Sequence, residues 1–329
     1  MLTPLAACAS LQDATLVSND TLVANERMLR NPMAPGVMVA SHRACWKSAS
    51  ENSLDGIRAC IAHGIDIIEI DIRTTADGRL VLMHDSTLDR MTNGHGKVSE
   101  ITFEALRKLR LKPAGGGRDV TTLTDRRVPT LKEALAVAKG RILINMDAKD
   151  PAQERIFEMV EQAGMTGQVI MKMSADPDTS ELATSRFATK SMFMPVIFAC
   201  TPKTPAGDFC AAALDPLLAR YARYRPIGFE LNFGDPAFIG GEAVAEARKH
   251  GRLWVNSLKP EQAGGVSDAT ALADPAGVWG KLIDQGVTII QTDHPEALLQ
   301  YLRRQGLHAE GRQFQGPPSR RAERGRCQQ

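Results

Sequence analysis

The chain has 329 residues, 43% hydrophobic and 24% charged, which suits one large globular domain or two small ones. Its formal net charge of +2 hides an asymmetry. Seven of 40 basic and two of 38 acidic side chains lie from Arg303 onward, leaving residues 1–302 with 33 and 36 and a nearly neutral body that excludes a nucleic-acid surface.

Residues 1–35 read as a leader. Within it, "LAAC" (5–8) is similar to the lipobox of bacterial lipoproteins, whose cysteine is lipidated. A basic n-region and a sufficient apolar stretch are lacking. As written the chain would be cytoplasmic; a start placed too late would make it periplasmic or lipid-anchored at Cys8. Residues 9–35 are polar, end in "RNPMAPG", and are expected to run over the surface. The six cysteines show no CxxC spacing, so neither a zinc site nor a disulfide framework is expected. No run approaches the roughly 18 apolar residues of a membrane span.

Nine strand-like apolar runs follow: 36–42, 65–72, 79–85, 141–149, 168–173, 192–198, 226–233, 252–258 and 287–293. Between them, 52–63, 130–139, 151–163, 208–223, 240–250 and 276–286 have helical spacing, several closing at a glycine such as Gly64 or Gly140. Buried strands alternating with helices predict a parallel sheet. Eight or nine of them over 36–302 predict a (β/α)8 TIM barrel. One run must lie outside it, and "RTTADG" (73–78), carrying the Asp77-Gly78 turn signal, is too short for a helical crossover. Residues 86–128 are expected to form a small insertion after the third strand. The tail, 303–329, is basic, Pro/Gly-rich and without periodicity, and reads as disordered.

Barrel enzymes place chemistry at the C-terminal ends of strands. His42 and Arg43 end the first run, Glu69 and Asp71 the second, His84 the third, and Asp147 and Lys149 the fourth. Residues i and i+2 share a strand face, so each acid or acid–lysine pair can point inward together. Buried carboxylates are costly unless paired, and three of them suit one hard divalent cation, Mg²⁺ or Ca²⁺. Two histidines supply an acid and a base near neutral pH, while Arg43 and Lys149 suit an anionic phosphate. Lys172 and Glu230, polar among apolar strand residues, are further candidates to face substrate. Met192, Phe193 and Met194 read as core, and His63 and His250 as solvated helix ends.

These residues resemble the glycerophosphodiester phosphodiesterase family from about 37 to 302. Its HRG motif is "HRA" at 42–44, its PENT "SENS" at 50–53, its ExD Glu69 and Asp71, and its HD His84-Asp85. Its N-I-E-x-K is "NMDAK" at 145–149, its WTVN "LWVN" at 253–256, and its TDxP "TDHP" at 292–295. The resemblance implies a metal-dependent barrel that cleaves glycerophosphodiesters to an alcohol and glycerol 3-phosphate. It further implies Trp254 as an apolar wall for substrate, and, by analogy with related phospholipase barrels, His42 as base and His84 as acid. Departures are Ala44 for glycine, Asp147 for glutamate, which would need a strand shift or a water to reach the ion, and the loss of proline before Glu51. Rival readings are a lysophospholipase D, a sugar phosphodiesterase of the agrocinopine kind, a metal-dependent barrel isomerase, and a non-catalytic anion-binding protein. The small-molecule diester is the one partner expected.

Overall fold

Eight of the nine apolar runs close into a cylinder. A computed structural model describes residues 9–175, 180–199, 220–221 and 223–308. The strands are β1 (Met38–Ser41), β2 (Ile67–Thr74), β3 (Leu80–Leu82), β4 (Leu143–Ala148), β5 (Val169–Ser174), β6 (Met192–Phe198), β7 (Gly228–Asn232), β8 (Arg252–Asn256) and β9 (Ile289–Thr292). The parallel order β1-β2-β4-β5-β6-β7-β8-β9 closes through β1–β9 pairing. β3 is the strand left outside, antiparallel to the end of β2. The reason is the connection: Thr75 to Arg79 form a tight turn with Gly78 at φ 77°, and a hairpin reverses direction where a crossover would not.

Among the described residues six helices have eight residues or more: α1 (Ala9–Arg30), α2 (Leu54–His63), α3 (Leu131–Ala138), α4 (Gln153–Gln162), α5 (Glu242–His250) and α6 (Pro295–Arg304). Their starts follow from capping chemistry. Ser53 accepts from Gly56 N–H at the start of α2, and Thr130 with Glu133 forms a capping box on α3. The predicted helix at 276–286 is a π-helical turn, Ala276–Gly280, running into Lys281–Asp284, and the one at 208–223 lies mostly outside the described residues.

Three expectations fail. First, residues 9–35 do not simply run over the surface. Leu22, Met28 and Leu29 of α1 pack with Met38, Ile67, Leu143, Ile170, Trp254 and Ile289 inside the barrel, closing its N-terminal end. The Arg252 guanidinium, 1% exposed, donates to the carbonyls of Met28 and Ala34. Asn25, buried on the same face and donating to Asp66 Oδ1 at 3.1 Å, interrupts the apolar spacing that would have marked this face. Second, the tail does not begin at 303. α6 extends to Arg304, and buried His308 lies 3.0 Å from Asp66 Oδ2 on the barrel floor. Residues 309–329 and Cys8 lie outside the described residues.

Third, Cys45 and Cys60 form a disulfide, Cα–Cα 5.3 Å. Cys45 follows the turn after β1 and Cys60 lies on α2, so the fold brings together what sequence spacing left apart. A bridge closing a loop of this length is worth about 3 kcal/mol. Cys60→Ala is therefore expected to lower unfolding free energy by about that much. A denaturant titration run with and without reductant checks it: reductant should destabilise the wild type and leave the variant unchanged.

The insertion 86–128 has its own apolar cluster, in which Leu88, Met91, Val98, Leu106 and Leu111 pack under Val81 and Met83. No helix among the described residues is long and apolar enough to cross a membrane.

Candidate active site

Period-two alternation along the strands sets the barrel interior in layers. Met38, Ile67, Leu143, Ile170, Met192, Met194 and Trp254 fill the lower ones. Nearer the C-terminal ends the same faces turn polar, with His42, Glu69, Asp147, Lys172, Glu230 and Asn256 lining a cavity of about 780 Å³. Arg43, His84, Lys149 and Asp293 line it too. Of the ten residues the sequence offers, eight line this cavity. Asp71 lies just behind it, fully buried, and only Trp254 is misplaced. It is 0% exposed in the interior cluster, one layer below Asn256, to which it donates an indole hydrogen bond of 2.9 Å. It cannot be a wall for substrate.

Glu69, Asp71 and Asp147 each bring an oxygen within 4.8 Å of the other two, a set that could hold a metal ion. Asp71 and Asp147 are paired in register across β2–β4, so the shorter carboxylate reaches the others without a strand shift. Asn52 clamps Asp71 twice, donating to Oδ2 at 2.7 Å and accepting its N–H at 3.0 Å. Asp71 Oδ1 is buried and makes no hydrogen bond, Lys149 Nζ lying 3.0 Å away out of line. Burial, then the charges of Asp71 and Asp147, pushes Glu69 up to about 7. Burial acts the same way on Asp71, but Lys149, His84 and Arg43 outweigh it and hold its carboxyl low. Asp147 is likewise held low against burial, by Lys172 and Lys149.

Arg43 and Ala44 turn the chain at φ 52° and 61°. That left-handed region explains why a glycine would suit residue 44. The turn aims Arg43 N–H at Glu69 Oε2 (2.8 Å) and its guanidinium at Glu51 Oε2 (2.9 Å).

The histidines are backed differently. His42 Nδ1 lies 2.7 Å from Asp293 Oδ1, which also accepts from Trp46 Nε1 at 2.9 Å. Burial would lower its pKa, but the hydrogen bond to Asp293 and the charge of Glu69 raise it. His84 Nδ1 lies 2.8 Å from Asp85 Oδ1, yet Arg90 holds that carboxylate from Nε and Nη2, at 2.7 and 2.9 Å, and spends its charge. Burial outweighs the raising effects of Asp71 and Asp85 and His84 is lowered, with Arg43 and Lys149 adding to it. Arg90 comes from the insertion and also grips Glu51 at 2.6 Å, so the insertion buttresses the site rather than standing apart.

Asp293, Glu51, Asn52 and Asp85 lie inside the motifs, and motif membership is the sequence signal that marks them. Arg90 and Trp46 had none. His95 is exposed beside Asp89, away from the cavity, and His63 and His250 are exposed as expected.

Residues 42–196 match the glycerophosphoryl diester phosphodiesterase family model, and residues 205–302 a model described as a domain of unknown function. Both models fall on the one barrel. Glycerophosphodiester phosphodiesterase 1 of Mus musculus is 44% identical over 117 residues, 35% of this chain and 35% of its own length. A glycerophosphodiester phosphodiesterase of Caldanaerobacter subterraneus is 30% identical over 141 residues, 41% of this chain and 56% of that protein. The chain thus spans about a third to just over half the length of these curated relatives. A glycerophosphoryl diester phosphodiesterase structure from Parabacteroides distasonis shares the fold, with TM-score 0.67 and 24% identity over 86% of this chain and 92% of that one. So does an Oleispira antarctica phosphodiesterase in complex with the product sn-glycerol-3-phosphate, with TM-score 0.58 and 17% identity over 82% and 97%.

Proposed function

We propose that this chain, whose residues 42–196 match the glycerophosphoryl diester phosphodiesterase family model, hydrolyses glycerophosphodiesters to an alcohol and glycerol 3-phosphate at the mouth of its barrel. One observation carries the reading. Three carboxylates, two carboxylate-backed histidines and the cations Arg43 and Lys149 meet around a single cavity. The product held by the Oleispira antarctica phosphodiesterase of like fold is the one this reaction would release.

Glu69, Asp71 and Asp147 would hold one divalent cation, Mg²⁺ or Ca²⁺. Their all-oxygen donor set fits such an ion, and so do the buried Asp71 Oδ1 without a hydrogen bond and the raised Glu69, a carboxyl short of positive charge. When bound, the ion supplies Lewis acidity toward hydroxyl and phosphoryl oxygens.

The protein's own groups do the rest. Arg43 and Lys149 orient the phosphate and offset charge on its equatorial oxygens. His42, with Nδ1 on Asp293, presents Nε2 to the cavity and takes the proton of the glycerol hydroxyl next to the phosphate. Asp293 stabilises the imidazolium that forms, which strengthens the base. The freed oxygen attacks phosphorus, the P–O bond to the alcohol breaks, and His84 gives its proton to the departing oxygen. With Asp85 committed to Arg90, His84 holds that proton loosely, which strengthens the acid. Water then opens the cyclic phosphate with the two roles exchanged. Lys172 and Glu230 face the same cavity as a mutual ion pair, a polar wall beside the phosphate.

A panel of diesters assayed with Mg²⁺, Ca²⁺ and chelator tests the proposal. Turnover of glycerophosphodiesters that chelator stops and cation restores is the expected result. Binding of glycerophosphodiesters without turnover of any diester would make the protein an anion binder instead.

The pH profile carries a further expectation. His42 is raised above, and His84 lowered below, the ordinary histidine value of 6.5. The first step needs one proton, on His84, the less basic of the two, so it runs from a minority of the singly protonated enzyme; the rate falls at low pH once both histidines hold a proton and at high pH once neither does. A bell in kcat/KM with limbs on either side of 6.5 is expected. Asp293→Asn removes the charge that raises His42, so it should move the alkaline limb down. Unmoved limbs would dismiss the Asp293–His42 pair.

A further inference from the structure

The three carboxylates keep different company. Glu69 accepts a backbone N–H from Arg43, and Asp71 is clamped by Asn52. Asp147 alone has two ammonium groups on one oxygen, Lys149 Nζ at 2.8 Å and Lys172 Nζ at 3.4 Å from Oδ2. Lys149 is also shared with Asp71. Lys172 is different. Its side chain is 8% exposed, and Glu230 Oε2 holds its ammonium from the far side at 3.1 Å. Glu230 Oε1 in turn accepts from Asn256 Nδ2 at 2.8 Å, and Asn256 Oδ1 from Trp254 Nε1 at 2.9 Å. A line of hydrogen bonds and ion pairs thus runs from β8 through β7 and β5 to β4 and ends on the third carboxylate of the set.

A buried ammonium kept in place by its own counter-ion is a fixed positive charge. Here it stands against an oxygen that a divalent cation would also need. Both cannot have the full share of Asp147, and a divalent ion there would stand close to a buried ammonium that repels it. We infer that Lys172 is a built-in competitor for the cation, and that the Lys172–Glu230 pair sets how tightly this chain holds its metal. An ion held there would draw on the Asp147 charge that Lys172 now shares, and Glu230 would keep the ammonium paired. The inference rests on the reading that Glu69, Asp71 and Asp147 hold the cation.

The two members of the pair should therefore act in opposite directions. Lys172→Met removes the competitor and should tighten divalent-cation binding. Glu230→Gln frees the ammonium to turn wholly onto Asp147 and should weaken it. If the pair merely shaped the barrel mouth, both substitutions would loosen Asp147 and weaken binding together. The experiment is calorimetric titration of the metal-stripped full-length protein with MgCl₂ and CaCl₂. It compares wild type, Lys172→Met, Glu230→Gln, Lys172→Met/Glu230→Gln and Asp71→Asn, each with its melting curve. The double variant leaves no unpaired buried charge and keeps the test available if Lys172→Met does not fold.

Lys172→Met is expected to bind at least about tenfold more tightly, a modest part of the repulsion between a monovalent and a divalent charge a few ångströms apart. Glu230→Gln should bind several-fold more weakly, Asp71→Asn should lose binding, and the double variant should bind at least as tightly as wild type. Binding by Lys172→Met where wild type shows none would support the competitor all the more. Unchanged or weaker binding by both variants lacking Lys172, with Asp71→Asn still deficient, overturns the competitor and leaves the carboxylate site standing. Wild-type binding by Asp71→Asn removes the carboxylate site, and the competitor with it.

Discussion

Glu69→Gln and Asp71→Asn are each expected to lower turnover of a glycerophosphodiester by at least about 10²-fold while the fold remains. The amides keep the shape, and each can keep its one essential acceptor contact: Glu69 with Arg43 N–H, Asp71 with Asn52 Nδ2. What is lost is charge, at the two positions deepest among the three carboxylates. Asp71→Asn also leaves Lys149 and Arg43 with less counter-charge, so it is expected to be the less stable of the two. Circular dichroism and melting curves separate loss of function from loss of structure. A folded variant that keeps more than about a tenth of the wild-type rate would remove its carboxylate from the cation's coordination.

The histidine variants should separate by substrate. His42→Ala and His84→Ala are each expected to cost about 10²–10⁴ in rate on a diester with an alkyl leaving group. A p-nitrophenyl diester has a leaving group that needs little protonation, so it should restore His84→Ala far more than His42→Ala. The asymmetry follows from the two backings. Asp293 makes no ion pair with a lysine or arginine among the described residues, Lys47 acting on it only from farther off, and can stabilise a proton arriving at His42, whereas Arg90 has already claimed Asp85. Equal rescue of both, or rescue of His42→Ala alone, would exchange the roles. Measuring kcat for the four enzyme–substrate pairs decides it.

Much of the candidate site is legible in the sequence because polar side chains at strand ends leave a linear trace. Glu69 and Asp71 two apart in an isoleucine run, and Asp147 and Lys149 two apart in the next barrel strand, can only be an inward-facing set if the run is a strand. His42 and His84 follow from position at strand ends. Trp254 shows where that trace misleads. The motif marks it as important, but two residues along a strand is one layer of a barrel, and the layer lining the cavity belongs to Asn256.

The amino-acid sequence by itself determined the strand count, the barrel class and the polar ends of the strands, since these rest on local periodicity and on the expense of burying charge. Tertiary structure alone decided what joins residues far apart. It set which strand stayed outside, through a hairpin turn; that Leu22, Met28 and Leu29 seal the barrel floor; and that Cys45 meets Cys60. It also decided which carboxylate backs which histidine: Asp293 sits 251 residues from His42, whereas Asp85 is adjacent to His84 and is neutralised by an arginine from the insertion. Pairing between distant side chains depends on where the closed sheet carries them, and no local pattern encodes that position.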